Sequence, residues 1–299
     1  MPEDPRSAAD GGVRALVLRS AGTNCDEETA YAFRLAGATA ERVHVGALLR
    51  RERRLDEFDI LAFPGGFSYG DDLGAGTVLA NRLRAHLYAD LEEFVGSGRL
   101  VLGICNGFQV LVRLGLLPGW PGEKAVSLVG NACGKFVDRW VALRVETDIS
   151  PFFSGPSGRG SERPPALGLG ATFRLPVAHG EGRFVVRDRE ALERLRARRQ
   201  IALSYVRSAS DREPAREEPW NPNGSVEGIA GIVNESGNVL GLMPHPERHV
   251  HRVQGPAWTR EPAVSDPSQV FMGEGFAIFA AAVQHARARR RGAGGGKRA

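Results

Sequence analysis

The chain has 299 residues, 42% of them hydrophobic and 25% charged, a composition typical of a globular protein with a large apolar core. It contains no run of about 18 apolar residues, and its N-terminus lacks the basic and apolar regions of a secretory signal. These features exclude a membrane-spanning protein and argue against a secreted one. The net charge of +4 arises locally, because six of the 39 basic residues follow Ala286, so nucleic-acid binding is not expected.

The first half of the sequence alternates strands with helices. Compact apolar runs predict buried strands, and helical periodicity over EETAYAFRLAG and over about 77–95 predicts helices between them. The predicted strands are VRALVLR, ERVHVG, FDILAFPGG and RLVLGI. Because parallel strands need long crossover connections, usually helices, this order predicts a doubly wound, mostly parallel α/β sheet of the flavodoxin-like kind.

The second half has a different character, with short strands and few helices between them. The predicted strands are WVALRVE, RFVVRD, QIALSYV, EGIAGIVN and NVLGLMP, and the turn at Ser236-Gly237-Asn238 predicts a hairpin between the last two. These strands predict an antiparallel addition to the sheet. Ser154–Pro165 and Ser208–Pro222 are predicted surface loops, and GEGFAIFAAAVQHARAR predicts a closing helix. The expected organisation is a disordered segment over 1–12, one domain over 13–286 and a basic disordered tail over 287–299.

The sharpest predicted turn carries a cysteine. In VLGICNGFQVL a buried strand ends at Cys105, glycines stand at 103 and 107, and a helix begins at Asn106. This is the cysteine form of the nucleophile elbow, in which glycines permit a tight turn and the side chain stands above the carboxyl edge of the sheet. The helix N-terminus favours the thiolate. We therefore predict that Cys105 is a nucleophile rather than a small core residue.

A thiolate nucleophile needs a base, and His245 has the most suitable context among the seven histidines. It follows the apolar strand NVLGLMP and stands between two prolines, which hold the segment extended so that His245 and Glu247 point the same way. Glu247 can then orient the imidazole as the third member of a triad. His249 and His251 could form a metal pair, but no third ligand stands in a suitable context, so no metal site is predicted.

The oxyanion of the reaction requires backbone donors. The amide after the nucleophile, that of Asn106, is one candidate. The glycine turn in FPGGFSYGDDLGAG supplies the other, with Gly66 as the prediction and Gly65 as the alternative. The turn lacks the G-x-x-x-x-G-K-[ST] pattern of a phosphate-binding loop.

The cysteines form an odd set, Cys25, Cys105 and Cys133, without a CxxC pair or a metal-like spacing. This usage is typical of free thiols in a reducing cytoplasm. Cys25 is predicted to have a structural role at the end of the first strand, and Cys133 is predicted to be incidental.

GICNGFQVL and MPHPER together resemble the class I, or triad, glutamine amidotransferases. Further strings are similar to the glutaminase subunits of phosphoribosylformylglycinamidine synthases, a family of purine biosynthesis. They are GTNCDEET, PGGFSYGDDLGAG, NACGKFVDRWV, PVAHGEGRF and NPNGS. The resemblance extends in blocks from about 13 to 250 and is thin over 148–175, over 188–219 and after 251.

The resemblance implies the class I glutamine amidotransferase fold and a mechanism. Cys105 matches the nucleophile, His245 the base and acid, and Glu247 its orienter. The nucleophile attacks the glutamine carboxamide, ammonia leaves, and water hydrolyses the glutamyl thioester.

Other matched positions concern the substrate. Gln109 matches the glutamine that helps to hold it, and Gly134 and Phe136 lie where family members grip its amino-acid end. His179 and Glu181, in PVAHGEGRF, could pair for an acid–base step, but the triad is complete without them. They are therefore assigned to loop structure or to contact with a partner.

The resemblance also implies partners. No ATP-binding signature is visible in the chain, so the acceptor chemistry, with its ATP and Mg²⁺, is expected on a large synthetase subunit, with a possible small accessory subunit. No cofactor is expected on this chain. The alternatives are an amidotransferase subunit of another synthetase, a non-catalytic scaffold of the same fold, and a cysteine hydrolase acting on peptides.

Overall fold

The structure is a computed structural model that describes residues 12–154, 167–208, 210–211, 213–260 and 272–295. Within these ranges, no helix combines the length and the apolar character needed to cross a membrane. The predicted disordered N-terminus and the predicted loop Ser154–Pro165 lie almost wholly outside the described residues.

The described residues form eleven strands and six α-helices. The strands are β1 (Arg14–Arg19), β2 (Thr39–His44), β3 (Ile60–Phe63), β4 (Leu100–Ile104), β5 (Val126–Val129), β6 (Val137–Val145), β7 (Thr172–His179), β8 (Arg183–Val186), β9 (Ile201–Val206), β10 (Ile229–Val233) and β11 (Val239–Leu242). The helices are α1 (Asp26–Leu35), α2 (Val45–Leu49), α3 (Thr77–Gly96), α4 (Asn106–Leu114), α5 (Arg189–Ala197) and α6 (Phe276–Gly295).

Nine of these strands form one sheet in the order β2-β1-β3-β4-β11-β10-β9-β6-β7, and β5 pairs with β8 in a second, two-stranded sheet. The five strands from β2 to β11 pair in parallel. The four beyond them pair antiparallel, including the predicted hairpin of β10 and β11. The predicted α/β class, a doubly wound parallel sheet with added antiparallel strands, is confirmed.

The core lies on both faces of the central strands. Every residue of β3, β4, β10 and β11 is buried. The sequences of such strands are continuous apolar runs, because helices or loops cover both faces of the sheet. Among these layers, α1 packs on α6 through an edge-to-face contact of Phe33 with Phe279, whose ring centroids are 5.0 Å apart.

Four elements were not predicted: β5, β7, α2 and α5. The strand β7 contains Pro176, which removes a backbone donor, and it is tolerated because β7 is the edge strand of the sheet. The helix α5 is capped by Asp188, whose carboxylate accepts a hydrogen bond from the amide of Ala191 at 2.8 Å. The described residues of the predicted loop 208–222 contain no strand or helix.

The predicted disordered tail over 287–299 requires a correction, because α6 continues to Gly295. Its arginines contact the body of the protein. Arg287 donates to Gly37 O at 3.1 Å, Arg289 to Ser97 O at 2.5 Å, and Arg290 to Asp59 at 2.8 Å. Three of the six basic residues of this segment therefore bind carbonyl and carboxylate oxygens of the body. Residues 296–299 lie outside the described part.

Candidate active site

Cys105 occupies a strained turn at the carboxyl end of β4. Its φ of 51° and ψ of −106° are unusual for a residue with a Cβ. Its amide donates to Leu242 O at 2.8 Å, which fixes the turn to the end of β11. A Cβ at Gly107 would lie 1.9 Å from Phe63 O, so only glycine lets α4 begin this close to β3.

His245 and Glu247 form a buried pair beside this turn. The Nδ1 atom of His245 lies 2.6 Å from Glu247 Oε1. The amide of His245 donates to Pro176 O at 2.8 Å, so β7 holds the segment in place. The side chains are only 2% and 0% exposed, which protects the pair from screening by solvent.

The electrostatics of this pair favour a charged imidazole. Burial opposes the positive charge, but the negative charges of Glu247 and Cys105 outweigh it and raise the pKa of His245 well above its ordinary value. The Nε2 atom of His245 is buried and has no hydrogen-bond partner in the described structure. Because Glu247 engages Nδ1, Nε2 is the nitrogen that can exchange a proton with Cys105 and its substrate.

A cavity of about 400 Å³ opens above Cys105. Five of the residues predicted for the site line it: Gly66, Cys105, Gln109, Phe136 and His245. Glu247 stands behind His245. Gly134 lies in an exposed turn between β5 and β6 and does not belong to this lining, whereas its neighbour Phe136 does.

The glycine turn after β3 brings Gly66 to the cavity. Gly66 faces Thr23 in an isolated bridge whose hydrogen bonds run from Asn24 N to Gly65 O and from Phe67 N to Gly22 O. The bridge therefore leaves the amide of Gly66 itself unused. A Cβ at this position would lie 2.6 Å from Gly22 O, and φ is +144°, so the site requires glycine.

The other proposed oxyanion residue, Asn106, is held by its side chain. Its Oδ1 accepts from Ser68 N at 3.2 Å, and its Nδ2 donates to Asp71 at 3.1 Å and to Gln109 Oε1 at 3.0 Å. The side chain of Gln109 in turn donates to Glu181 O at 2.5 Å. The turn after β3 and the loop after β7 are thus connected through the first turn of α4.

Sequence reasoning did not assign several residues that the fold brings to the cavity. His179 and Glu181, which had been assigned to loop structure or partner contact, both line it. Other lining residues that were not singled out are Asn24, Asp71, Asp138 and Arg248. Of these, Arg248 stood in the MPHPER string, and its place three residues after His245 was the available signal.

Asp71 is a partly buried carboxylate of this group. Burial raises the pKa of Asp71 above its usual range, and the negative charge of Glu181 adds to this. Hydrogen bonds from Gly76 and Asn106 oppose the shift. The charge of Asp71 is therefore costly, and the bonds that hold it also hold Asn106.

Cys25 lies next to the triad. Its Sγ accepts from Arg248 at 3.1 Å, and it approaches His245 and Glu247 so closely that one possible ligand atom from each of the three lies within 4.8 Å of the others. The guanidinium of Arg248 already supplies the positive charge that such a group would attract. We therefore assign Cys25 to the support of His245 and Arg248 rather than to a metal site.

Comparison with known proteins places this geometry in a family. A family model described as the CobB/CobQ-like glutamine amidotransferase domain matches residues 12–286. A phosphoribosylformylglycinamidine synthase subunit PurQ from Dehalococcoides mccartyi is 44% identical over 279 residues, covering 92% of this chain and 98% of its own length. The PurQ subunit from Methanococcus maripaludis strain C7 is 40% identical over 249 residues, covering 82% of this chain and 85% of its own length.

Solved structures agree with this placement. A chain of the PurLQS structure from Thermotoga maritima is 32% identical, with a TM-score of 0.64, and the match covers 92% of this chain and 99% of that one. The chain therefore belongs to the CobB/CobQ-like glutamine amidotransferases and, within them, to the PurQ subunits of phosphoribosylformylglycinamidine synthase.

Proposed function

We propose that this chain is the glutaminase subunit of a phosphoribosylformylglycinamidine synthase. It hydrolyses glutamine to glutamate and ammonia and supplies the ammonia to a synthetase. The observation that carries the proposal is the buried His245–Glu247 pair beside Cys105, at the wall of one cavity. A nucleophile, a base and an orienting carboxylate are the groups that acyl transfer needs.

The first half-reaction forms a thioester. The Cys105 thiolate attacks the carboxamide carbon of glutamine, and the carbonyl oxygen gains a negative charge. The amides of Gly66 and Asn106 are the proposed donors to that oxyanion, each contributing about 3 kcal/mol. His245 gives its proton to the nitrogen as the carbon–nitrogen bond breaks, and ammonia leaves.

The second half-reaction regenerates the enzyme. His245, now neutral, takes a proton from a water molecule, and the hydroxide attacks the thioester carbon. The tetrahedral intermediate then collapses and expels the Cys105 thiolate as glutamate forms. One water molecule is consumed for each ammonia released, and Glu247 stabilises the imidazolium in both halves.

The destination of the ammonia is a second protein. One structural relative comes from a solved PurLQS assembly, which supports a large synthetase subunit as the partner and a small accessory subunit beside it. We assign the ATP and Mg²⁺ of the acceptor chemistry to the synthetase. All three cysteines are free, which supports action in the reducing cytoplasm.

Substitution of Cys105 by serine tests the proposal. In the assembled synthase, Cys105→Ser should reduce glutamine-dependent product formation below detection and leave ammonium-dependent formation close to the wild-type rate. The reason is that the thiolate serves only to release ammonia. Both rates are measured by product formation at saturating ATP and acceptor, with Cys133→Ser, an exposed cysteine, as the matched control.

Two results would contradict the proposal. Retained glutamine turnover in Cys105→Ser would show that another group is the nucleophile. Glutamine hydrolysis by the wild-type chain without product formation in any assembly with the synthetase would favour an amidotransferase of another pathway.

A further inference from the structure

His179 is the last residue of β7 and lines the cavity together with Cys105 and His245. The triad mechanism assigns no role to it. It is 3% exposed, so its polar atoms need partners inside the protein or in the cavity. The ring packs against Gly182, where a Cβ would come within 2.3 Å of it. The absence of a Cβ at Gly182 therefore makes room for the ring.

The hydrogen bonds of Asn131 fix which nitrogen of His179 carries the proton. The Nδ2 of Asn131 donates to the carbonyl oxygens of Lys135 at 2.9 Å and His179 at 2.8 Å, which sets the orientation of the amide. Its Oδ1 is therefore an acceptor, from Gly182 N at 3.0 Å and from His179 Nδ1 at 3.1 Å. It follows that Nδ1 of His179 bears the hydrogen.

The other nitrogen is then a bare acceptor. Burial, with the positive charge of His245 adding to it, lowers the pKa of His179 to about 4, so the ring is neutral at physiological pH. The Nε2 atom is buried and has no hydrogen-bond partner in the part of the chain that the structure describes. A neutral ring whose Nδ1–H is occupied offers a lone pair at Nε2 and no proton.

We propose that His179 Nε2 accepts a hydrogen bond from the carboxamide N–H of the bound substrate and positions the nitrogen that leaves. The carbonyl oxygen just before it, Ala178 O, lies 3.7 Å from Cys105 Sγ, so this end of β7 reaches the reacting atom. Two acceptors, Ala178 O and His179 Nε2, match the two hydrogens of a carboxamide. A carboxylate has none to donate, so the pair also selects glutamine over the product glutamate.

This role rests on the proposed glutaminase function, and a pair of substrates separates the two. Glutamine has a carboxamide N–H, whereas the γ-methyl ester of glutamate does not, although both form the same thioester with Cys105. His179→Asn keeps a donor to Asn131 but is too short to reach the position of Nε2. His179→Gln places an amide oxygen near that position and is the rescue variant.

The measurement is kcat/KM for both substrates with the wild-type chain and both variants, in the presence of the synthetase. His179→Asn should lower kcat/KM about tenfold for glutamine and leave it nearly unchanged for the ester, the effect of one hydrogen bond. His179→Gln should recover most of the loss. Inhibition by glutamate should strengthen in His179→Asn, because the acceptor no longer repels the carboxylate.

If His179→Asn lowered kcat/KM equally for glutamine and for the ester, the proposal would be overturned. A residue with a purely structural role would affect thioester formation from both substrates alike. A second measurement uses the wild-type protein and so does not require that a variant folds. ¹⁵N NMR at pH 7 should show that Nε2 of His179 is unprotonated. A protonated Nε2 would also overturn the proposal. A wild-type chain that hydrolyses the ester but not glutamine in any assembly would instead contradict the proposed function.

Discussion

Glu247 combines deep burial with an incomplete set of partners. Its Oε1 engages His245, while its Oε2 is buried and has no hydrogen-bond partner among the described residues. A buried carboxylate in this state is costly unless a positive charge stands next to it. Two positive groups stand near Glu247: the imidazolium of His245, 2.6 Å away, and the guanidinium of Arg248.

Substitution of Glu247 by glutamine tests the role of its charge. Glu247→Gln should reduce glutaminase kcat about a hundredfold, because the imidazolium loses its neighbouring negative charge. His245→Asn should reduce it further, since the proton carrier itself is removed. The measurement is steady-state glutamate release, with Glu235→Gln, on the exposed β10–β11 turn, as the matched control.

Alkylation of Cys105 by a glutamine-analogue electrophile should persist in Glu247→Gln and is followed by mass spectrometry. Losses of equal size at Glu247 and His245 would show instead that the two act as one inseparable unit.

His179 gives the fold a pH dependence of its own. A histidine has a pKa near 6.5 when unfolded, and the folded value here is about 4, so the unfolded chain binds more protons between these limits. The stability from this residue is fully present above pH 6.5 and is lost as the pH falls towards 4. At pH 5 the loss amounts to about 2 kcal/mol.

Urea unfolding at pH 7 and pH 5 measures this effect. The wild-type free energy of unfolding should fall by about 2 kcal/mol more than that of His179→Gln, which has no group to titrate at this position. His285, whose pKa burial also lowers, titrates in both proteins and cancels in the comparison. An identical pH dependence in the two proteins would show that His179 does not remain neutral in the fold.

At the scale of elements, the helices and strands that could be predicted are those with strong local signals in the sequence. The strand before Cys105, the elbow and the helix after it were predictable because apolar runs and glycines mark them directly. The β7 strand was not, since its edge position alone makes Pro176 acceptable, and that position depends on pairing with β6, about 30 residues earlier. The helix α5 was missed although its signal was present, an Asp cap before REALERLRA.

The residues of the candidate site also divide into those that a local motif predicts and those that only the fold brings together. Cys105, His245 and Glu247 stand in motifs, so they could be found without a fold. His179, Asp71 and Arg248 reach the cavity because the ends of separate strands and turns meet there. Arg248 follows His245 by three residues, which was a local signal that sequence reasoning did not use. No local pattern places His179 and Asp71 at the site, because that depends on how the strands are arranged.

The docking of α6 leads to a prediction at this scale. Arg290 donates to Asp59 at 2.8 Å and to Gly12 O at 3.0 Å, at the ends of β3 and β1 far from Cys105. Arg290→Ala should therefore lower the free energy of unfolding by about 1 kcal/mol and leave glutaminase activity unchanged. Arg291→Ala, on the same turn and exposed, is the control for helix propensity.

Truncation after Ala286 removes the other arginine contacts as well and should lower stability more than Arg290→Ala does. Thermal unfolding and glutaminase assays on the same preparations separate an effect on stability from an effect on activity. A loss of activity without a loss of stability would mean that the end of α6 acts on the site.

At the scale of the molecule, the rim of the cavity carries exposed apolar side chains. Leu73 is 72% exposed, and Phe67 and Phe136, whose ring centroids are 6.5 Å apart, are 47% and 55% exposed. We infer that the synthetase docks on this rim, because exposed apolar side chains that lie together favour an interaction surface. The turn that carries Leu73 also contains Asp71, which accepts a hydrogen bond from Asn106, so a protein docked on this rim can act on the proposed oxyanion donors.

We expect the chain alone to hydrolyse glutamine slowly and the synthetase, with acceptor and nucleotide, to raise the rate about a hundredfold. The turn is strained, since Tyr69, Gly70 and Asp71 all have positive φ angles, of 56°, 74° and 54°. A partner that orders the turn would align the donors without moving Cys105. The measurement is steady-state glutaminase activity with and without the synthetase.

Leu73→Asp should weaken this activation and leave the rate of the isolated chain unchanged. Leu169→Asp changes another exposed leucine, which is 58% exposed and precedes β7 rather than lying in the turn after β3, and it is the matched control. Equal rates with and without the synthetase would refute activation by docking, although the triad would be unaffected.

The docking of α6 also determines how the molecule can be attached to a surface. The contacts of Arg287, Arg289 and Arg290 lie just before the parallel strands begin, so this end of α6 faces away from the cavity. A sensor chip that holds the protein by this helix presents the cavity to a flowing synthetase. Amine coupling instead reaches the exposed Lys124 and Lys135, and Lys135 is the neighbour of Phe136 on the rim. A chip made that way holds part of the molecules by the rim and should capture less synthetase.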